Sequence, residues 1–179
     1  ELASELGITK TQYENLTTSY KAVGTWLNDD ENLKNYGINV YPQGSFRLGT
    51  IIQPINEDDD LDIDLVCRLT CKPPYWTQRD LKESVGNRLK ANAMYYKMIK
   101  EKDGGRRCWT LLYRENNPDE KYHLDVLPAV VDKGRALVLD DMARLEYNYE
   151  NVQKSAIRIT NKDAENYATD YNVSNWLKS

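Results

Sequence analysis

The sequence has 179 residues, a formal net charge of −4, 40% hydrophobic residues and 29% charged ones. That length suffices for one sizeable domain with its own core, and the composition is ordinary for a soluble globular protein. The acidic balance argues against a protein whose main task is gripping long DNA or RNA, and no apolar run reaches the roughly 18 residues of a membrane span. The opening residues carry neither a basic n-region nor an apolar h-region, so no signal peptide is read and a cytoplasmic location is expected. The chain does not begin with Met, as a fragment would not. Its three cysteines, Cys67, Cys71 and Cys108, make an odd count that fits reduced thiols. Cys67 and Cys71 have no second Cys pair and only one His to join them, so they read as small hydrophobes in strands and not as zinc ligands.

In chain order, Thr9 and Gln12 form a capping-box pattern. Tyr13, Leu16, Tyr20, Val23 and Leu27 then recur at helical spacing, which predicts an amphipathic helix over residues 10–28. "INVYPQ" reads as a short strand ended by a Gly44-Ser45 turn, and "LDIDLVCRL" as a second strand. Thr77 and Asp80 open another helix with Leu81, Val85, Leu89, Tyr96 and Ile99 on one face, ended by Gly104-Gly105. "RRCWTLLYRE" and "YHLDVLPAVV" follow as two strands of an antiparallel hairpin across "NNPDEK". "SAIRIT" reads as a further strand in a less regular tail. Elements mixed in this order predict an α/β or α+β domain with a mixed sheet flanked by helices.

The dense stretch is "EDDDLDID", six acids in eight residues running into an apolar segment. Side chains at i and i+2 of a strand share a face, about 6.6 Å apart along the backbone. Asp62 and Asp64 therefore point one way while Ile63 and Leu65 point into the core. Carboxylates repel one another and are costly to take out of water, so something positive must offset them. Divalent cations do so, and Mg²⁺ prefers oxygen ligands while keeping waters and substrate phosphates. Glu57, Asp58 and Asp59 read instead as a solvated loop, and Asp60 joins the pair only if the strand starts early. Asp125, between Leu124 and Val126, offers a third acid from a strand expected to pair near the first. In "QGSFRLGT", Gly44 lets backbone approach a ligand, and Ser45 supplies a hydroxyl and an N–H suited to phosphate. Such a pair alone is usually a turn; its place 17 residues before Asp62 gives it weight.

Gly-Ser, then Asp-x-Asp, then a single Asp on a later strand resembles the polymerase-β nucleotidyltransferase superfamily. More narrowly, "YPQGSFRLGT", "DLDIDLVCRL", "LKESVGNRLK", "RRCWTLLY" and "HLDVLPAV" resemble the bacterial cGAS/DncV-like nucleotidyltransferases (CD-NTases), over residues 36–130. The resemblance implies a polymerase-β-like nucleotidyltransferase core in an enzyme that joins nucleoside triphosphates, ATP and/or GTP among them, into cyclic di- or trinucleotides. These would be second messengers of anti-phage (CBASS) defence. It implies that Asp62, Asp64 and Asp125 bind two Mg²⁺ ions, with Mn²⁺ as an alternative, and that Gly44 and Ser45 hold the triphosphate. The reaction would be attack of a ribose hydroxyl on an α-phosphate with release of pyrophosphate, Asp125 accepting the proton. Arg47 reads equally as a phosphate contact and as a surface Arg; His123 as a neighbour of the acids and as a structural His. Arg106 and Arg107 read as exposed charges near a turn before they read as phosphate contacts.

Residues 1–179 are thus expected to be the N-terminal catalytic lobe, with the family's C-terminal helical lobe absent or truncated. The partners expected are nucleoside triphosphates and either that lobe or a regulatory protein, with no membrane and no long nucleic acid. Trp176 and Leu177 are expected on an apolar face left for the second lobe. Two other readings stay open: a nucleotidyltransferase that modifies RNA or protein in the manner of an antitoxin, and a non-catalytic nucleotide-binding fragment.

Overall fold

In a computed structural model of the chain, residues 8–44, 61–114, 121–133 and 156–179 are described. Helix α1 spans Lys10–Asn28, and both halves of its capping box form, Thr9 Oγ1 accepting from the Gln12 N–H and Gln12 Oε1 from the Thr9 N–H. Strand β1 spans Ile38–Gln43 and β2 spans Leu61–Leu69. Helix α2, Gln78–Lys90, begins with a second complete capping box, built by Thr77 and Asp80. The single helix expected from Thr77 to the glycines is in fact two. Asn92 turns extended, and its side chain accepts from the N–H groups of Met94 and Tyr95, starting helix α3 at Ala93–Met98. Asn is a strong N-cap, and here that preference overrides the continuing apolar spacing.

Strands β3 (Trp109–Tyr113), β4 (Tyr122–Val131), β5 (Ile157–Ile159) and β6 (Leu177–Lys178) complete a six-stranded sheet among the described residues. β3 and β4 pair antiparallel, as their sequences predict; residues 115–120 of the connection lie outside the described residues. β2 and β4 run parallel and central, with β1 antiparallel on the far side of β2. The other edge of β4 is shared. β3 pairs with Tyr122–Val126 and β5 with Ala129–Val131, and Pro128, which has no N–H to donate, sits between the two.

All the described α-helices lie against one sheet face. Val23 and Leu27 of α1, Leu81, Val85 and Leu89 of α2 and Tyr95 of α3 bury against Leu65, Cys67, Leu69, Trp109, Leu111, Leu124, Val126 and Val130. Each such large apolar side chain contributes about 1.5–3 kcal/mol on burial. The opposite face carries a smaller cluster, Val66, Ala129, Ile157 and Ile159, confined to the later half of β2 and β4. The earlier half of that face carries the acids.

The tail differs from expectation at Trp176. Its indole is buried, and its carbonyl accepts from Arg158 Nη1 at 2.8 Å. Arg158 in turn pairs with Asp132 at 2.6 Å in a buried ion pair. Hydrogen-bonded partners of this kind offset the cost of burying the charges, so residues 156–179 close this end of the sheet. Leu177 is exposed.

Of the thiols, Cys67 is a buried strand residue as expected, whereas Cys71 is exposed just beyond β2. Burial, with Asp30 adding to it, pushes the Cys67 thiol up to about 12. Burial and then the Asp125 charge push Cys108 up to about 11. The thiolate is the reactive form. A maleimide at neutral pH should therefore label Cys71 first, and Cys71→Ser protein should stay unlabelled while folded, as read by intact mass. Rapid labelling of that variant would contradict the packing described.

Candidate active site

Strand alternation places the acids. Ile63 and Leu65 are buried on the helix side, so Asp62 and Asp64 emerge on the open side. In β4, Leu124 and Val126 are buried, which turns His123 and Asp125 the same way. The parallel register sets Asp62 beside His123 and Asp64 beside Asp125. Neighbouring strands lie about 4.8 Å apart, so Asp64 and Asp125 are side-by-side carboxylates. Gln43 is the partner of Asp64 on β1, and Thr110 the partner of Asp125 on β3.

Each acid has a distinct surrounding. The Asp62 side chain is 65% exposed, and His123 Nδ1 lies 3.3 Å from its Oδ1. Burial, then the charges of Asp125 and Asp62, push the Asp64 carboxyl above its ordinary range. Such a shift marks a carboxyl drawn partly out of water and then crowded by like charge. Asp125 accepts a short 2.5 Å hydrogen bond from the Thr110 hydroxyl. Among the described residues, no three His, Cys, Asp or Glu side chains stand close enough to grip a metal ion as they are. Asp64 and Asp125 are nevertheless hard oxygen donors on adjacent strands, with the exposed Asp62 carboxylate beside them. That donor set fits Mg²⁺ or Mn²⁺ and suits soft metals poorly.

Gly44 ends β1 with a left-handed φ of +70°. A Cβ there would stand 2.7 Å from Asp64 Oδ2, so the missing side chain is what lets the backbone at Gly44 lie against this carboxylate. Gly44→Ala should cost about 1–2 kcal/mol in backbone strain, with a further loss from displacing Asp64. Urea denaturation checks it, and an unchanged midpoint would contradict this close approach. Ser45, Arg47 and the acids at 57–60 lie outside the described residues. Arg106 does not join the acids; it is exposed and paired with Asp163 at 2.8 Å. Arg107 is exposed as well. Sequence reasoning missed Thr110, because a Thr in a strand carries no signal beyond β propensity.

Residues 1–170 match the Second Messenger Oligonucleotide or Dinucleotide Synthetase domain family. The chain belongs to that family. It is 31% identical over 129 residues to a c-di-GMP synthase of Roseivirga ehrenbergii, covering 72% of this chain and 32% of that one. The cyclic AMP-GMP synthase DncV of Vibrio cholerae, in complex with the linear intermediate 5′ pppA(3′,5′)pG, superposes with a TM-score of 0.65 at 16% identity, over 99% of this chain and 56% of that one. The CD-NTase CdnG of Bradyrhizobium diazoefficiens, in complex with GTP, gives 0.56 at 20%, over 75% and 37%. These place the fold, a mixed sheet with helices, among the cGAS/DncV-like nucleotidyltransferases that the sequence resembles. The chain spans about a third of the length of the curated family relative it matches.

Proposed function

We propose that this chain is the catalytic core of a synthase that joins nucleoside triphosphates, ATP and/or GTP, into a cyclic di- or trinucleotide second messenger for anti-phage defence. The observation that carries the reading is the register pair Asp64–Asp125, with Asp62 one strand repeat away, on the open face of the sheet. Family membership and the c-di-GMP synthase relative support it. A ribose hydroxyl oxygen attacks an α-phosphorus, a new P–O bond forms, the α–β P–O bond breaks, and pyrophosphate leaves. Asp125 takes the hydroxyl proton. Asp62, Asp64 and Asp125 would hold two Mg²⁺ ions, with Mn²⁺ as the alternative; when bound, these supply the positive charge that offsets the phosphates and the developing alkoxide. The Gly44 turn, with Ser45 and Arg47 following it, is the proposed seat of the triphosphate. A C-terminal helical lobe or a regulatory protein is the proposed partner that closes the site over the bases.

Incubation of the chain extended through a C-terminal helical lobe with all four NTPs and Mg²⁺, followed by chromatography and mass spectrometry, tests the reading. A phosphatase-resistant cyclic product is expected. Label transferred to RNA or protein would replace the reading with a modifying enzyme, and NTP binding without consumption would leave a binding domain.

A further inference from the structure

The three acids leave an electrostatic problem that the protein meets with side-chain donors. His123 stands beside Asp62. At Asp125 the donor is Thr110, whose hydroxyl lies 2.5 Å from Oδ1. A hydroxyl has one hydrogen to give, and here the carboxylate oxygen is its acceptor, which ties the two side chains to one relative orientation. The platform that carries the hydroxyl is rigid. Trp109 and Leu111, on either side, are buried in the core, and Trp109 Nε1 donates to the Lys82 carbonyl at 2.9 Å. Those anchors fix Thr110 on the acid side of β3, and its β-branched side chain has little freedom at χ1. The Cys108 thiol, on the same side, sits 3.8 Å from the Thr110 oxygen. It can give its S–H to that oxygen while the hydroxyl gives its own hydrogen to Asp125.

We propose that Thr110 is a positioning residue for Asp125: its hydroxyl fixes the orientation in which that carboxylate binds a divalent cation. The proposal rests on the reading of Asp125 as a metal ligand in nucleotidyl transfer. Groups that orient metal ligands are worth roughly 10–100-fold in metal affinity or activity.

The test compares Thr110→Val, which keeps the branched shape and removes the donor, with Thr110→Ser, which keeps the donor. Mn²⁺ affinity is read by electron paramagnetic resonance, turnover by pyrophosphate release, and folding by the denaturation midpoint. Thr110→Val should bind Mn²⁺ about 10-fold or more weaker and lose about the same factor in kcat, with KM for NTP within a few-fold. Thr110→Ser should recover most of both. Should Thr110→Val fail to fold, Thr110→Ala takes its place under the same criteria. Wild-type Mn²⁺ affinity in Thr110→Val, or equal impairment in Thr110→Ser, overturns the proposal. If wild-type protein binds Mn²⁺ but makes no product, the synthase reading fails while the Mn²⁺ comparison still decides Thr110. If it binds no Mn²⁺, both fall.

Discussion

Asp64→Asn should abolish synthesis while leaving the apo fold as stable as wild type or more so. The two effects have one cause. Asp64 stands beside Asp125 and one strand repeat from Asp62, and its carboxyl is held above the ordinary range by burial and by those two charges. A carboxyl whose folded pKa is raised binds more protons in the native state than in the unfolded one across that window. Native stability therefore falls as pH rises from the ordinary carboxyl range through the raised value, and at neutral pH the ionised group is a net penalty. The amide removes that penalty and flattens the slope. It also removes a charged ligand, which should cost at least about 100-fold in rate, since even groups behind the ligands are worth 10–100-fold. Mg²⁺ bound only by the native state should raise the melting temperature of wild type and fail to raise that of the variant. Thermal melts across pH, with and without Mg²⁺, read both effects. Activity within a few-fold of wild type would sink the assignment of Asp64.

Gly86→Ala should be among the most damaging single substitutions to stability. Gly86 is buried in α2, directly over Trp109 of β3. A Cβ there would fall 2.0 Å from Trp109 Cζ2 and 2.3 Å from Cε2, far inside van der Waals contact. The ring cannot swing away cheaply, because it is buried and its Nε1 donates to the Lys82 carbonyl. Either α2 lifts from the sheet or the indole leaves its rotamer. The cost should be about 3 kcal/mol, the upper part of the usual range for overpacking. That is a large share of a typical domain's 5–15 kcal/mol. Because Trp109 adjoins Thr110, activity should fall as well. Gly24→Ala is the control: its Cβ would meet Val40 at an ordinary 3.7 Å, and removing a helical Gly should gain about 0.5–1 kcal/mol. Equal urea midpoints for the two variants would contradict the packing of α2 on the sheet.

How far the sequence carried the fold depended on whether the signal was local. Both capping boxes were readable from four residues each and formed as read. The alternation around Ile63 and Leu65 put Asp62 and Asp64 on one face because the period of a strand is fixed by its backbone. The break at Asn92 was missed because apolar spacing continued through it, and a capping side chain outweighed that pattern. The sequence alone leaves Trp176 on an exposed face because Arg158, which the distant Asp132 holds in place, meets its carbonyl only in the folded sheet. The pairing of Asp64 with Asp125 across β2 and β4 likewise depends on tertiary register, which two separate strand patterns do not specify. Thr110 fell in the same gap: nothing in "CWTLLY" says that its hydroxyl meets a carboxylate.

Transfer at the α-phosphate is the step proposed for the acids of β2 and β4. Its most direct measurement follows the fate of NTP labelled at either the α- or the γ-phosphate, incubated with the protein and Mg²⁺. α-Label should enter a phosphatase-resistant cyclic product, and γ-label should leave wholly as pyrophosphate. Release of γ-label as orthophosphate, or α-label that stays in mononucleotide, would contradict it.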